Sequence, residues 1–176
     1  EEVGEIIIKT LSKCAYTYYN NDAENEKKFH YGYYYTGDLG TWDKDRFVTV
    51  VGRKDDMIIS SGENIYPTQI EEVMNGCEGV KDCMVTGVPH EKYGEAVTAY
   101  VIADDGAELT VDMLDDYCKQ SPMIANFKRP RYYRIVNELP INVTDKKLHY
   151  VLKANAKEDK ENRLLIPLSK KPKNNQ

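Results

Sequence analysis

The stretch Gly52-Arg53-Lys54-Asp55-Asp56-Met57-Ile58-Ile59-Ser60-Ser61-Gly62-Glu63-Asn64-Ile65-Tyr66-Pro67-Thr68-Gln69-Ile70-Glu71-Glu72 decides how the chain is divided. Its first five residues are polar and flexible, the composition of a connection between domains. The apolar run Met57-Ile58-Ile59 that follows has the length of a strand. Pro67 then opens a helix, because proline suits the first helical turn, where its missing N–H costs nothing. Ile70, Val73, Met74 and Cys77 recur at helical spacing and make one apolar face over residues 67–77. A strand-rich piece therefore gives way to a helix-containing one near residues 52–56.

Upstream of that boundary, residues 5–9 and 15–18 read as strands joined by a short turn. Residues 22–29 are polar and helix-prone, with Asn21 or Asp22 as N-cap. Tyr33-Tyr34-Tyr35 leads into a Thr36-Gly37-Asp38 turn. Residues 42–51 read as a hairpin about the polar Asp43-Lys44-Asp45-Arg46. Downstream, residues 80–87 and 96–103 alternate as strands. Thr110 caps a helix bearing Val111, Leu114, Tyr117 and Cys118, residues 131–136 form a third strand, and residues 146–156 form a short final helix. This is an α+β unit of three or so strands with flanking helices, spanning about 100 residues. From Lys157 the chain is charged, ends in Lys170-Lys171-Pro172-Lys173, and is expected to fray. The expected organisation is residues 1–53, the last strands of a larger domain; residues 54–156, the α+β domain; and residues 157–176, a flexible tail.

Bulk properties exclude several classes. A chain of 176 residues, 41% hydrophobic and 30% charged, is globular in composition. No run approaches the roughly 20 apolar residues of a membrane span. A net charge of −5 argues against nucleic-acid binding, since no surplus of cations can displace counterions from phosphates. Cys14, Cys77, Cys83 and Cys118 form no CxxC pair and no metal-ligand spacing with histidine. They read as buried thiols of a reducing, cytoplasmic compartment. His30, His90 and His149 are scattered and read as surface residues. The chain opens on Glu1, with no targeting pattern, directly before a strand; this reads as a fragment.

Three motifs are then informative together: Tyr35-Thr36-Gly37-Asp38-Leu39, the stretch from Gly52 to Glu72, and Leu139-Pro140-Ile141-Asn142-Val143-Thr144-Asp145-Lys146. In order and spacing they resemble the adenylate-forming superfamily of acyl-CoA synthetases, aryl-CoA ligases, peptide-synthetase adenylation domains and luciferases. The resemblance runs to about residue 156 and lies nearest the aryl-, medium-chain- and carnitine-type CoA ligase branch. It implies a two-step reaction. ATP and a carboxylic acid give an acyl-adenylate and pyrophosphate, and the thiol of coenzyme A then displaces AMP. It also implies a small mobile C-terminal domain that serves both steps against its own large N-terminal domain. That large domain would hold most of the ATP, AMP and Mg2+ contacts.

The resemblance assigns roles residue by residue. Asp38 falls at the ribose ligand, where a carboxylate accepts from vicinal hydroxyls; a turn aspartate is the plainer alternative. Arg53 falls at an arginine contacting the same ribose, the alternative being an ion pair with Asp55 or Asp56. Asp55 falls at the hinge, with Asp56 as its neighbour. Gly62 lies where the pantetheine arm passes the backbone, and is also a plausible turn glycine. Lys146 falls at the lysine of the adenylation step, although Asp145 replaces the usual preceding glycine and Lys147 adjoins it. In Phe127-Lys128-Arg129-Pro130-Arg131, Lys128, Arg129 and Arg131 join Tyr93 as candidate coenzyme A contacts, a cationic cluster in an acidic chain; the sequence does not say which of the three points at the ligand, and docking against the large domain is the alternative for each. No metal ligands are expected here. The expected function is that of an AMP-forming acid–CoA ligase, inactive as this piece alone. The alternatives are an adenylation domain loading a carrier protein, or a separate binding or regulatory module.

Overall fold

The computed structural model describes residues 2–11 and 17–168, divided between two units, Glu1–Asp55 and Asp56–Gln176. Residues 12–16 lie outside the described set, and with them Cys14 and half of the strand expected at 15–18; Thr17 and Tyr18 are not in a strand.

In the first unit, β1 (Gly4–Lys9) pairs antiparallel with the long β3 (Tyr33–Trp42). Between them come α1 (Asp22–Lys28) and β2 (Phe29–His30), and β4 (Val48–Arg53) adds to β3. The Asn21 side chain caps α1 by accepting the Glu24 N–H. Thr36-Gly37-Asp38 does not turn the chain. It is a bulge inside β3, where Glu5 faces Leu39 and Ile7 faces Tyr35, leaving Ile6 opposite all three residues. Gly37 has φ +78°, and a Cβ there would lie 2.8 Å from the Lys28 ammonium and 3.1 Å from the Arg53 guanidinium. The backbone conformation demands glycine, while the two cationic side-chain ends could shift to admit a Cβ.

The second unit runs β5 (Ile58–Ser60), β6 (Glu63–Ile65), α2 (Pro67–Asn75), β7 (Val80–His90), β8 (Gly94–Ala103), α3 (Val111–Gln120), β9 (Tyr132–Ile135), α4 (His149–Glu161) and β10 (Ile166–Pro167). Its sheet has six strands, not three. The long β7–β8 hairpin is the spine, and β9 lies parallel to β8. Both sheet faces are buried, which is why β7 and β8 read as nearly continuous apolar runs. Cys83, Val85, Val97, Ala99 and Val101 pack with Ile70, Val73 and Met74 of α2 and with Leu114 and Cys118 of α3. On the opposite face Met84, Val88, Ala96 and Tyr100 pack with Leu152 and Ala156 of α4 and with Leu165. Cys77, Cys83 and Cys118 are free and buried. Burial pushes all three thiols up, Cys118 to about 11, so none ionises near neutral pH.

Two boundaries differ from the sequence expectation. The last helix starts at His149, not residue 146, because a side-chain-stabilised loop occupies the preceding positions. It also continues past Lys157 to Glu161. The charged stretch hides a buried anchor: Asp159 accepts from the Tyr100 hydroxyl at 2.7 Å and pairs with Arg134. Leu165 is also buried, and β10 joins the sheet beside β9. Residues 157–168 therefore belong to the fold. Asp159→Ala should lower stability by about 1–3 kcal/mol, the range for stranding a buried partner. Lys157→Ala, at an exposed position, should leave urea unfolding followed by circular dichroism unchanged.

Candidate functional site

Asp38 and Arg53 are cross-strand partners on β3 and β4. The Arg53 guanidinium donates to Asp38 Oδ1 at 2.7 Å and to the Thr36 carbonyl at 3.2 Å. Thr36 organises the bulge, donating its hydroxyl to the Ile6 carbonyl at 2.7 Å and accepting the Asp38 N–H. Arg53 thus pairs with Asp38 across the two strands. Both side chains remain substantially exposed, so the pair contributes little to stability. What it supplies is a carboxylate and a planar guanidinium side by side. Nearby, the Lys54 ammonium donates to Glu5 at 2.8 Å and holds that carboxyl below its usual range. Lys54, Asp55 and Asp56 form a turn. Asp55 is exposed and is the last residue of the first unit.

Lys146 and Lys147 are separated chemically by the loop that carries them. Asn142 Oδ1 accepts the N–H groups of Thr144 and Lys146 and the Thr144 hydroxyl, all within 3.0 Å. The Asn142 N–H returns to the Lys146 carbonyl at 3.0 Å. This closed turn requires a left-handed residue at position 145, and Asp145 has φ +58°. A glycine meets that requirement freely, and aspartate is one of the few other residues that tolerate it. Lys147 then turns inward. Its ammonium donates at 2.6 Å to both Asp82 Oδ1 and the Cys83 carbonyl on β7, leaving its side chain 25% exposed. Lys146, by contrast, is exposed.

At the far end of β7 a second set of groups converges. Ser61 (φ +53°) and Gly62 (φ +83°) form the two-residue turn between β5 and β6, the left-handed pair such a tight hairpin needs. No heavy atom lies within 4 Å of a Cβ built at Gly62, so within the described residues the glycine answers a backbone demand. The Ser61 N–H donates to the Tyr93 carbonyl at 2.8 Å, fixing this turn to the β7–β8 turn. The Tyr93 ring stacks on His90 at 4.6 Å and lies 5.8 Å from the Arg131 guanidinium and 5.5 Å from the Lys92 ammonium. His90, Tyr93 and Arg131 border a cavity of about 540 Å³ that also reaches Tyr132, Asp115 and Arg129. Lys128 sits over Phe127 and donates to Gln69 at 3.4 Å. Arg129 differs from its neighbours. It is largely buried and paired with Asp115 of α3, which also holds Lys119 at 2.5 Å. One end of its guanidinium is held by Asp115, while its Nε is buried without a hydrogen-bond partner among the described residues.

The structure therefore gathers Gly62, Tyr93 and Arg131 at one end and puts Lys146 at the other. Asp82 and His90 bound the separation. His90 lies eight positions along β7 from Asp82, about 26 Å at the usual rise per residue. Three groups escaped the sequence reading. The Asn142 side chain, readable as an Asn-x-Thr turn, shapes the lysine loop, and Asp82 sequesters Lys147. His149 is not a surface residue but contacts Glu71 at 2.8 Å. His30 and His90 are likewise engaged, His30 stacking on Tyr35 at 3.8 Å.

The second unit has the architecture of the C-terminal domain of adenylate-forming enzymes. Residues 69–146 match the family described as AMP-binding enzyme C-terminal domain. Relatives include a 2-succinylbenzoate–CoA ligase of Geobacillus sp. (strain WCH70), 38% identical over 86% of this chain and 30% of its own length. A 4-chlorobenzoate–CoA ligase of Arthrobacter sp. is 39% identical over 81% of this chain and 27% of its own. Among solved structures, o-succinylbenzoate CoA synthetase (MenE) of Bacillus subtilis in complex with the acyl-adenylate intermediate OSB-AMP superposes with a TM-score of 0.77. It is 36% identical, covering 86% of this chain and 30% of that one. ATP-bound MatB of Rhodopseudomonas palustris gives 0.72 at 33% identity, covering 79% and 27%. The chain spans about 30% of the length of these ligases.

The left-handed position in the lysine loop can be tested directly. Asp145→Gly should be tolerated, whereas the β-branched Asp145→Val should cost about 1–2 kcal/mol in equilibrium unfolding.

Proposed function

We propose that this chain is the C-terminal portion of an ATP-dependent acid–CoA ligase and that its second unit serves the two half-reactions from opposite ends. The observation that carries this reading is that the loop of Lys146 is anchored at Asp82 and the turn of Gly62 beside the far end of β7, positions about 26 Å apart along the strand. Two groups that far apart on one rigid sheet cannot both reach a single reacting carbonyl in one pose. Alternation about Asp55, the exposed residue between the units, resolves the conflict.

In the first step Lys146 brings an ammonium to the α-phosphate as the carboxylate attacks, neutralising charge and holding two anions that otherwise repel. Lys147 cannot do this while its donors are engaged by Asp82 and Cys83. Asp38 accepts from the ribose hydroxyls, and Arg53, already aligned with that carboxylate, supplies donors beside it. In the second step the Gly62 turn lines the path of the thiol arm. Tyr93 offers a stacking face for a nucleobase, while Arg131 and Lys128 offer cations to the coenzyme A phosphates. Arg129 supports this surface through Asp115 instead of binding the ligand. ATP supplies the adenylyl group, and coenzyme A the thiol. Most of the ATP and Mg2+ contacts belong, in this reading, to the large N-terminal domain. The chain by itself lacks adenylation activity in this reading, and acid-dependent ATP–pyrophosphate exchange by the isolated chain would refute that.

In the complete enzyme, Lys146→Ala should reduce acyl-adenylate formation about 10²–10³-fold while a supplied acyl-adenylate is still converted to thioester. Equal loss of both steps would remove Lys146 from the first. Gly62→Leu should do the reverse, sparing pyrophosphate exchange and blocking thioester formation; unchanged thioester formation would remove the assignment of that turn.

A further inference from the structure

α4 begins without a side-chain cap: Leu148 at its N-cap position makes no capping hydrogen bond. The helix start, and the Lys146 loop joined to it, must therefore be held by other means. One anchor is Lys147 on β7. The second is His149, the first residue of α4. Its Nε2 lies 2.8 Å from Glu71 Oε1 on α2, and its Nδ1 lies 4.0 Å from Asp56 Oδ2, one residue beyond the hinge position. Glu71 is buried and also accepts the Val85 N–H of β7 at 2.7 Å. A buried carboxylate needs a counter-charge, and the imidazole is placed to provide it.

We propose that His149 is a positioning residue for Lys146: its imidazolium, set between Glu71 and Asp56, clamps the start of α4 to α2 and fixes the loop that delivers the lysine. The proposal rests on the reading of Lys146 given above. The groups facing the imidazole are Glu71 of α2, Asp56 of the turn before β5, and Lys147 of its own segment, itself neutralised by Asp82 of β7. The hydrogen bond to Glu71 raises the imidazole above its ordinary value of 6.5, outweighing burial, which acts the other way; the charges of Glu71 and Asp56 add to it. Because the folded-state value is raised, the clamp contributes fully below the ordinary value and is lost as pH rises through the raised one. Alkaline solution should therefore loosen the Lys146 loop.

Two measurements test this. In the chain itself, NMR titration of the His149 ring should give a midpoint above 6.5. Glu71→Gln, which keeps an acceptor for Val85, should lower it. Amide exchange across residues 142–147, corrected for intrinsic chemistry, should accelerate above that midpoint. In the complete enzyme, His149→Ala should slow adenylation roughly 10–100-fold, since a misplacement of about 1 Å can cost about 100-fold, while sparing thioester formation from supplied acyl-adenylate. His149→Arg, a permanent cation, should restore the rate and flatten the alkaline limb of its pH profile. Unchanged adenylation and loop exchange in a folded His149→Ala protein would overturn the proposal. If the alanine variant does not fold, the arginine variant decides, and an unaltered pH profile there overturns it as well. Should the ring titrate and the loop respond as described while Lys146→Ala leaves adenylation intact, the clamp stands and the assignment of Lys146 falls.

Discussion

An ammonium held by both a carboxylate and a backbone carbonyl cannot also be delivered to a substrate. Lys147 is in that position, with Asp82 and the Cys83 carbonyl each at 2.6 Å. The strand that supplies these acceptors is buried over most of its length, so the anchor is only as firm as the sheet around it. Anchoring Lys147 obliges the chain to reverse direction just before it, and the Asn142 side chain with a left-handed Asp145 makes that reversal. Lys146 is thereby displaced outward on a loop that is ordered yet exposed. Two adjacent lysines of the same intrinsic chemistry become one structural and one available group.

The same strand connects this loop with the opposite end of the domain. β7 runs from Asp82 to His90, where the β7–β8 turn brings Tyr93 against His90 and holds the Ser61-Gly62 turn through the Tyr93 carbonyl. Helices on both faces keep the hairpin rigid, α2 and α3 on one side and α4 on the other. Under the proposed function a rigid element bearing two functional ends needs a mobile attachment, and the turn of Lys54, Asp55 and Asp56 is where the chain divides. Rigidity within the unit and freedom at its boundary are complementary demands.

Much of this architecture is legible in the sequence, because periodic apolar patterns report burial. The α2 face of Ile70, Val73 and Met74, the Thr110 cap of α3 and the two strands of the spine follow from spacing alone. Features that depend on one side chain meeting a distant one are not legible. Thr36-Gly37-Asp38 has the composition of a turn, and only pairing across to Ile6 makes it a bulge. Residues 157–161 have the composition of a tail, and only Tyr100 and Arg134 make Asp159 a buried anchor. Arg129 is indistinguishable from Lys128 and Arg131 until Asp115 is seen beside it. His149 shows no local partner in sequence, since Glu71 lies 78 positions away. Family motifs located the candidate site, but which member of each charged cluster remains available was decided by tertiary contacts.

The division of labour between the adjacent lysines is the centre of this account, and competitive acylation measures it directly. The native chain would be treated with a trace amine-reactive reagent, and labelling at each lysine quantified by mass spectrometry against the unfolded chain. Lys146 should react at close to its unfolded rate, while Lys147 should be strongly protected until Asp82 is replaced by alanine or the fold is lost. Equal labelling of the two lysines in the native chain would contradict the account, because neither would then be singled out by the structure.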